Sequence, residues 1–363
     1  MKLAGFRLYR YELPLTEPLE LQGTTLRQRE GLLVELAGDG DVVGWGEAAP
    51  LPSFSREELD EVSGQLRALA DAMVGREVAV DLPDPEGSLA CELDAGDLAP
   101  AARFGFELAL WSLYAASSGR VLPELVTPRP REVVPINALI SSPDHALEEA
   151  RRIRNAGYEA VKLKVGTRSV EEDVELVRAL SEMLDGDVSL RLDANRAWSL
   201  GEAERFARDV ADLRLEYVEE PLADPARLPC LANTFGLPVA LDESLVDTEP
   251  EALEDHRYVR AVVLKPMLLG GISRTLSFAR AASRLGMRPV LSSAYETGVG
   301  TSGLVALAAG VGDEAVPAGL DTYRRLAEDV LRPPLELPAP RVDVRAVFED
   351  RREVEHRLLI SVG

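Results

Sequence analysis

Of the 40 basic residues in this 363-residue chain, only four are lysine: Lys2, Lys162, Lys164 and Lys265. Three of them sit in apolar, β-branched runs, in Val161-Lys162-Leu163-Lys164-Val165 and Val262-Val263-Leu264-Lys265-Pro266. Arginine stays protonated in proteins, whereas a buried lysine can surrender its proton and act as a base. These three lysines are therefore candidates for proton transfer, weighed against the plainer reading of ordinary strand-end residues. Acids stand at matching places. Asp193, Glu219 and Asp242 each follow a short apolar run, in Leu190-Arg191-Leu192-Asp193, Tyr217-Val218-Glu219 and Ala240-Leu241-Asp242. Clustered carboxylates raise one another's pKa values unless a cation intervenes. All-oxygen ligation favours Mg²⁺ or Mn²⁺ over Zn²⁺. The competing reading is that each acid caps the helix that follows it.

Such groups meet only if the runs that carry them are neighbours. From Val133 onward, short apolar runs alternate with amphipathic stretches. The strand candidates are Val134–Ile140, Ala160–Val165, Val188–Leu192, Leu215–Val218, Val239–Leu241, Ala261–Leu264, Pro289–Leu291 and Val316–Leu320. Helix-like segments such as His145–Ala156, Glu171–Leu184, Gly201–Leu213 and Ser273–Leu285 lie between them. That is the repeat of a parallel α/β barrel, whose chemistry sits at the strand C-termini. Polar groups end six successive strands there, the last carrying Ser292-Ser293. Strands three, four and five would gather Asp193, Glu219 and Asp242 into one arc. Lys162 and Lys164, two apart on strand two, share a face. Strand six stands opposite strand two, so Lys164 and Lys265 would flank the cation from two sides. Positive charge so close is expected to depress a lysine pKa and leave a neutral base. The chemistry would be removal of a proton α to a carboxylate, with the metal holding the enediolate.

Before the barrel, Leu32–Leu36 and Val42–Gly46 read as strands around Gly38-Asp39-Gly40. Helices are expected over Ser55–Ala72, with Ser55 as N-cap, and over Pro100–Ser117. The expected organisation is an α+β capping domain over residues 1–128, a barrel over 129–330, and a tail over 331–363 that returns to the cap.

Composition excludes several classes. A net charge of −22 repels phosphate backbones and speaks against nucleic-acid or anionic-membrane partners. The longest apolar stretch, Gly303 to Gly312, is too short to span a bilayer, and charge follows the N-terminus at once. A soluble, cytoplasmic enzyme is expected. Cys91 and Cys230 make no disulfide framework, and His145, His256 and His356 read as solvated side chains. No feature of the sequence specifies an oligomeric state.

Taken together, these motifs resemble the enolase superfamily and, within it, the o-succinylbenzoate synthases. The resemblance rests on Gly44-Trp45-Gly46-Glu47-Ala48-Ala49-Pro50-Leu51-Pro52 with Phe54-Ser55, and on Lys162-Leu163-Lys164-Val165-Gly166. It continues through Asp193-Ala194-Asn195-Arg196-Ala197-Trp198, Glu219-Glu220-Pro221, Asp242-Glu243-Ser244 and Lys265-Pro266. Ser292-Ser293 with Glu296, and Gly319-Leu320-Asp321-Thr322, complete it. It implies a (β/α)₇β barrel of the TIM type with an N-terminal α+β cap. Asp193, Glu219 and Asp242 would bind Mg²⁺, for which Mn²⁺ can substitute. Lys164 would be the acid/base, Lys265 would stabilise the developing anion, and Lys162 would set the charge of the site. Asn195, Ser292 and Ser293 would contact a small dicarboxylate substrate, although a strand-end turn explains the two serines equally well. Cap segments near Leu15–Arg27 and Ala48–Phe54 would close over it.

The implied reaction is loss of water on the route to menaquinone. Two alternatives compete: 1,1-proton transfer on N-acylamino acids or dipeptides, and a non-catalytic barrel scaffold. The resemblance leads one to expect an Asp-x-Asp pair on strand eight of a dipeptide epimerase, and here Gly319 stands two before Asp321. A Schiff-base aldolase has no use for three carboxylates, and a scaffold has none for three buried ammonium groups.

Overall fold

Seven parallel strands form the barrel sheet and follow one another in chain order. The computed structural model describes residues 1–363 apart from 22, 41, 80–83, 85–86, 313, 350–351 and 363. An N-terminal antiparallel sheet begins with β1 (Gly5–Leu21), β2 (Thr24–Ala37) and β3 (Val43–Ala48). After β4 (Val133–Pro135) the barrel strands are β5 (Ala138–Ile140), β6 (Ala160–Lys164), β7 (Ser189–Asp193) and β8 (Leu215–Glu219). They continue with β9 (Val239–Leu241), β10 (Val259–Leu264) and β11 (Arg288–Leu291), in unbroken spatial order from β5 to β11.

The expected eighth strand is reduced to two parallel bridges, Ile136 with Ala318 and Ser292 with Gly319. Ala318 donates to the Pro135 carbonyl at 2.8 Å and Gly319 to the Leu291 carbonyl at 2.8 Å, so this short segment closes the ring. The expected first strand, Val134–Ile140, is interrupted, because Ile136 and Asn137 bond instead to Pro340 and Ala318. Barrel helices fall at Ala146–Asn155, Val170–Leu184, Leu200–Asp209 and Gly271–Arg284. Ser169 and Ser199 each start one with a reciprocal box, to Glu172 and Glu202.

The N-terminal unit packs β3 onto the helix Pro100–Ser118. A Cβ on Gly46 would strike the backbone of Gly105 and Ala109, and one on Gly44 that of Ala109 and Leu113. The glycines of the Gly-Trp-Gly-Glu run thus allow backbone-on-backbone contact. The helix predicted from Ser55 begins only at Leu59 with Glu58 as N-cap; the Ser55 hydroxyl accepts from the Leu51 N–H at 2.9 Å instead. Leu359–Ser361 pairs antiparallel with β1, and Arg341–Asp343 with β4. Among the described residues no helix is long and apolar enough to cross a membrane.

Buried polar groups hold the cap to the barrel. Glu47, fully buried on β3, accepts from the backbone N–H of Thr297 at 2.9 Å and of Gly300 at 2.8 Å. The Thr297 hydroxyl and the Tyr11 phenol also donate to it, each at 2.6 Å. This carboxylate therefore caps the barrel helix Gly298–Gly310, for which Thr297 supplies no side-chain cap. Glu107 does the same for Gly271–Arg284, accepting from the N–H groups of Ile272 and Ser273. Arg29 donates to the carbonyls of Pro50 at 2.7 Å, Tyr295 at 3.2 Å and Ala294 at 3.3 Å, tying a cap loop to the loop after β11.

Beside this junction Glu296 is fully buried. Burial pushes its carboxyl up to about 7, against the Ser293 hydroxyl's hydrogen bond and with help from the Glu47 charge. A carboxyl with a raised folded pKa holds its proton in the native state after the unfolded chain has lost it. Its contribution to stability is therefore present at low pH and is lost as pH rises through 7. At about 1.4 kcal/mol per unit, the loss between pH 5 and pH 8 is roughly 2–3 kcal/mol. Denaturant titrations of wild type and Glu296→Gln should converge or cross in that interval by this amount. A difference independent of pH would remove Glu296 as the titrating group.

Candidate active site

The barrel register brings the predicted residues to one mouth. Lys164 on β6 is in register with Asp193 on β7, and Asp193 with Glu219 on β8. Register partners in a parallel sheet present their side chains on the same face, so these three share a rim. Asp242 follows directly after β9, and Lys265 directly after β10, four strands around the ring from β6.

Two lysines span the acids. Lys162 Nζ lies 2.8 Å from Asp193 Oδ2 and 2.9 Å from Glu219 Oε1. Lys265 is ion-paired with Asp242 and lies 5.8 Å from the centre of the Phe54 ring of the cap. The three carboxylates are largely or fully withdrawn from water, Glu219 entirely. Burial works to lower the pKa of Lys162 and Lys265, but the adjacent carboxylates outweigh it and both are raised. This corrects the expectation of a depressed lysine pKa: the acids, not other cations, are the nearest charges. Burial pushes Glu219 up, with the Asp193 charge adding to it, whereas in Asp193 the Lys162 ammonium overcomes burial and the pKa falls. Lys164 departs from expectation in another way. It is exposed, not buried, and its side chain lines the cleft.

As they stand, no three Asp, Glu, His or Cys side chains among the described residues form a ready-made metal cage. The ammonium groups occupy that space. The donors nevertheless fit a hard cation: all are carboxylate oxygens, and Glu219 Oε2 is buried without a hydrogen-bond partner. An orphaned buried carboxylate oxygen is costly unless something else completes it.

The cleft measures about 300 Å³. The barrel contributes Lys162, Lys164, Asp193, Glu219 and Lys265, and the cap contributes Leu19, Glu20, Leu21, Leu51 and Phe54. Both expected cap segments therefore reach it. Ser292 and Ser293 also line it, yet their backbone N–H groups are spent on the Leu264 and Gly319 carbonyls in the barrel wall. The Ser293 hydroxyl is spent as well, donating to Glu296 at 2.6 Å and accepting from the Tyr295 N–H at 2.9 Å. Of the serine groups proposed for substrate, the Ser292 hydroxyl alone is loosely held, 3.5 Å from the Gly319 carbonyl. Asn195 lines the cleft, but its amide donates to Glu243 at 3.1 Å and its N–H to Asp193 at 3.1 Å.

Sequence reasoning assigned no role to Glu220. Its carboxylate accepts from the Asp242 N–H at 3.0 Å, the Ser244 N–H at 2.8 Å and the Ser244 hydroxyl at 2.9 Å, and pairs with Arg196 at 3.1 Å. It holds the turn that aims Asp242. Glu220, Asn195 and Arg196 all have positive φ, backbone strain gathered beside the acids. The paired acids of Glu219-Glu220-Pro221 were the available signal: one faces the mouth and the other fixes the next strand's turn. Tyr295, Thr322 and Arg325 line the cleft and were likewise unassigned.

Comparison with known proteins agrees with the fold. The family described as enolase C-terminal domain-like matches residues 145–347, and the MenC N-terminal domain matches residues 3–113. The o-succinylbenzoate synthase of Pasteurella multocida is 32% identical over 349 residues, 94% of this chain and 96% of that protein. That of Vibrio cholerae is 33% identical over 359 residues, covering 96% and 97%. Among solved structures, the dipeptide epimerase of Enterococcus faecalis with Mg and the dipeptide L-Leu-L-Tyr has a TM-score of 0.83 at 24% identity, covering 95% of this chain and 97% of that one. That last likeness is one of fold. With full-length relatives at this identity and a barrel mouth of acids and lysines beneath a cap, the chain belongs to the o-succinylbenzoate synthase family of the enolase superfamily and is an enzyme of the hydro-lyase class.

Proposed function

We propose that this enzyme removes water from 2-succinyl-6-hydroxy-2,4-cyclohexadiene-1-carboxylate to give o-succinylbenzoate, in the cytoplasm, on the route to menaquinone. The observation that carries the reading is the alignment of Lys164, Asp193 and Glu219 on three adjacent strands, with Lys265 on the strand opposite. The names of its full-length relatives support the same reaction.

Asp193, Glu219 and Asp242 would hold one Mg²⁺, and Mn²⁺ could take its place. When bound, the ion supplies Lewis-acid neutralisation of carboxylate charge, which makes a weak carbon acid accessible to a side-chain base. Lys162 and Lys265 shift from the acids toward the substrate carboxylate and hold it between two ammonium groups. Lys164, exposed to the cleft, takes the ring proton adjacent to that carboxylate as a free amine. Its new ammonium faces the departing hydroxyl on the same side of the ring and returns the proton to it. One C–H and one C–O bond break, water leaves, and the ring becomes aromatic. Leu21, Leu51 and Phe54 line the cap side of this cleft and would exclude bulk water once the cap closes over the substrate.

A second reading, 1,1-proton transfer on an N-acylamino acid, is supported by the opposed positions of Lys164 and Lys265. Dipeptide epimerisation is not favoured: Asp321, the one acid of the expected strand-eight pair, is ion-paired with Arg324 at 3.0 Å. The purified protein should convert the diene with a kcat/KM far above that for exchange of the α-proton of any N-succinylamino acid or dipeptide. The reverse ranking would overturn the proposal.

Two variants test the roles. Lys164→Arg keeps a positive charge but cannot donate a free amine, so it should lose about 10²- to 10⁴-fold or more in kcat, as Lys164→Ala does. Both should retain the wild-type melting profile and metal affinity; near-normal turnover in the arginine variant would take Lys164 out of the mechanism. Chelation should abolish activity and added Mg²⁺ or Mn²⁺ restore it, while Asp242→Asn should weaken Mg²⁺ binding in calorimetric titration. Full turnover by exhaustively chelated, metal-free enzyme would contradict the triad's assignment.

A further inference from the structure

The cleft contains a cation that the reaction described above leaves unused. Arg325 is the one guanidinium among the described residues that line it. It ends the short 3₁₀ turn Asp321–Arg325, which follows the segment that closes the barrel between β11 and β5. That segment occupies the eighth strand position, and β8, which carries Glu219, is the fourth. Arg325 therefore stands across the mouth from the acids.

Its present partner is informative. Arg325 Nη1 lies 3.0 Å from Glu17 Oε2 of the cap, and its Nη2 reaches the Ser141 hydroxyl at 3.5 Å. Glu17 lies where the β1–β2 register breaks, between Pro14 and Leu19, so this piece of β1 turns from its own sheet toward the barrel. Leu15 bridges to Leu326, the Ala327 N–H donates to the Pro14 carbonyl at 2.9 Å, and the Thr16 hydroxyl donates to the Arg325 carbonyl at 3.3 Å. The neighbouring Leu19, Glu20 and Leu21 then line the cleft. The Glu17 side chain is 73% exposed, so water competes for this ion pair and it is readily exchanged. A carboxylate brought in by a ligand would meet the guanidinium in a drier place and with two N–H donors.

We infer that Arg325 is the binding residue for the remote, aliphatic carboxylate of the substrate, and that Glu17 of the cap occupies its guanidinium until that carboxylate arrives. This deepens the proposed function and rests on its reading of a dicarboxylate substrate, one end held at the acids and lysines, the other across the mouth. It also fits the serines: with their N–H groups committed to the barrel wall and the Ser293 hydroxyl spent on Glu296, they leave a second carboxylate only the loosely held Ser292 hydroxyl. Because Glu17 belongs to the same strand segment as Leu19–Leu21, the exchange of partners would report occupancy to the cap.

The test compares o-succinylbenzoate with its side-chain carboxamide as ligands of the Mg²⁺-supplemented protein, by titration calorimetry. Wild type should bind the dicarboxylate roughly 10- to 100-fold more tightly than the amide. Arg325→Gln should bring that ratio to about one with amide affinity unchanged, Arg325→Lys should keep part of it, and Glu17→Gln should leave it at least as large as in wild type. A ratio that survives in Arg325→Gln overturns the inference, as does equal or absent binding of both ligands by wild type. Turnover of the diene is read separately. Retained Arg325-dependent discrimination without turnover would refute the proposed reaction and leave the carboxylate subsite standing, whereas turnover with an unchanged ratio would do the opposite.

Discussion

Three carboxylates at the end of three neighbouring strands cannot coexist in a desolvated mouth without compensating positive charge. Everything else near the site is arranged around that constraint. Lys162 bridges Asp193 and Glu219, and Lys265 pairs with Asp242, so the acids and ammonium groups neutralise one another locally. Buried charges are tolerable only when paired, and removing one partner of such a set leaves the other exposed to the full penalty. The same pairing keeps the site poised for an anionic ligand. In the proposed reaction a cation held by the acids would free the ammonium groups to receive a carboxylate, while Lys164 stands outside the pairing and open to the cleft.

Charge also organises the scaffold beneath. Glu47 and Glu107 reach from the cap to the bare N-termini of the two barrel helices that follow β10 and β11, and supply the caps those helices lack. These strands end at Lys265 and at Ser292-Ser293, so the cap's position is written into the loops that carry the site. Arg29 adds a guanidinium bonded to loop carbonyls on both sides of the junction. Glu220 performs the corresponding service within the barrel by gripping the backbone of Asp242 and Ser244. Here polar burial orients the elements, whereas the apolar core holds them together.

Much of the barrel was legible because each strand is a short apolar run ended by a charged residue, a pattern local enough to read. The lysines and acids of the mouth were legible for the same reason, and strand order told which of them stand on neighbouring strands, but not that Lys162 and Lys265 pair with the acids. What escaped depends on distant partners. Glu47 meets Thr297 and Gly300, Arg29 meets Ala294 and Tyr295, and Arg325 meets Glu17, pairs separated by most of the chain. The long β1 was missed because Pro14 and Pro18 interrupt its alternation, and the structure places a register break there. The hydrogen bonds of Ser293 to Glu296 and Tyr295 were not legible, because a strand-end serine looks equally available whether or not a buried glutamate lies three residues on. Lys164 was expected to be buried; at the last position of its strand it emerges into the cleft.

The central claim is that the acids and lysines act as one electrostatic unit, exchanging partners when metal and ligand bind. A crystal structure with Mg²⁺ and o-succinylbenzoate tests it most directly. The account predicts the ion within about 2.1 Å of oxygens from Asp193, Glu219 and Asp242. Lys162 and Lys265 would have moved from those acids onto the ring carboxylate, and Lys164 would lie beside the ring carbon that lost the proton. Metal bound elsewhere, or lysines still paired with the three acids beneath a bound product, would contradict it.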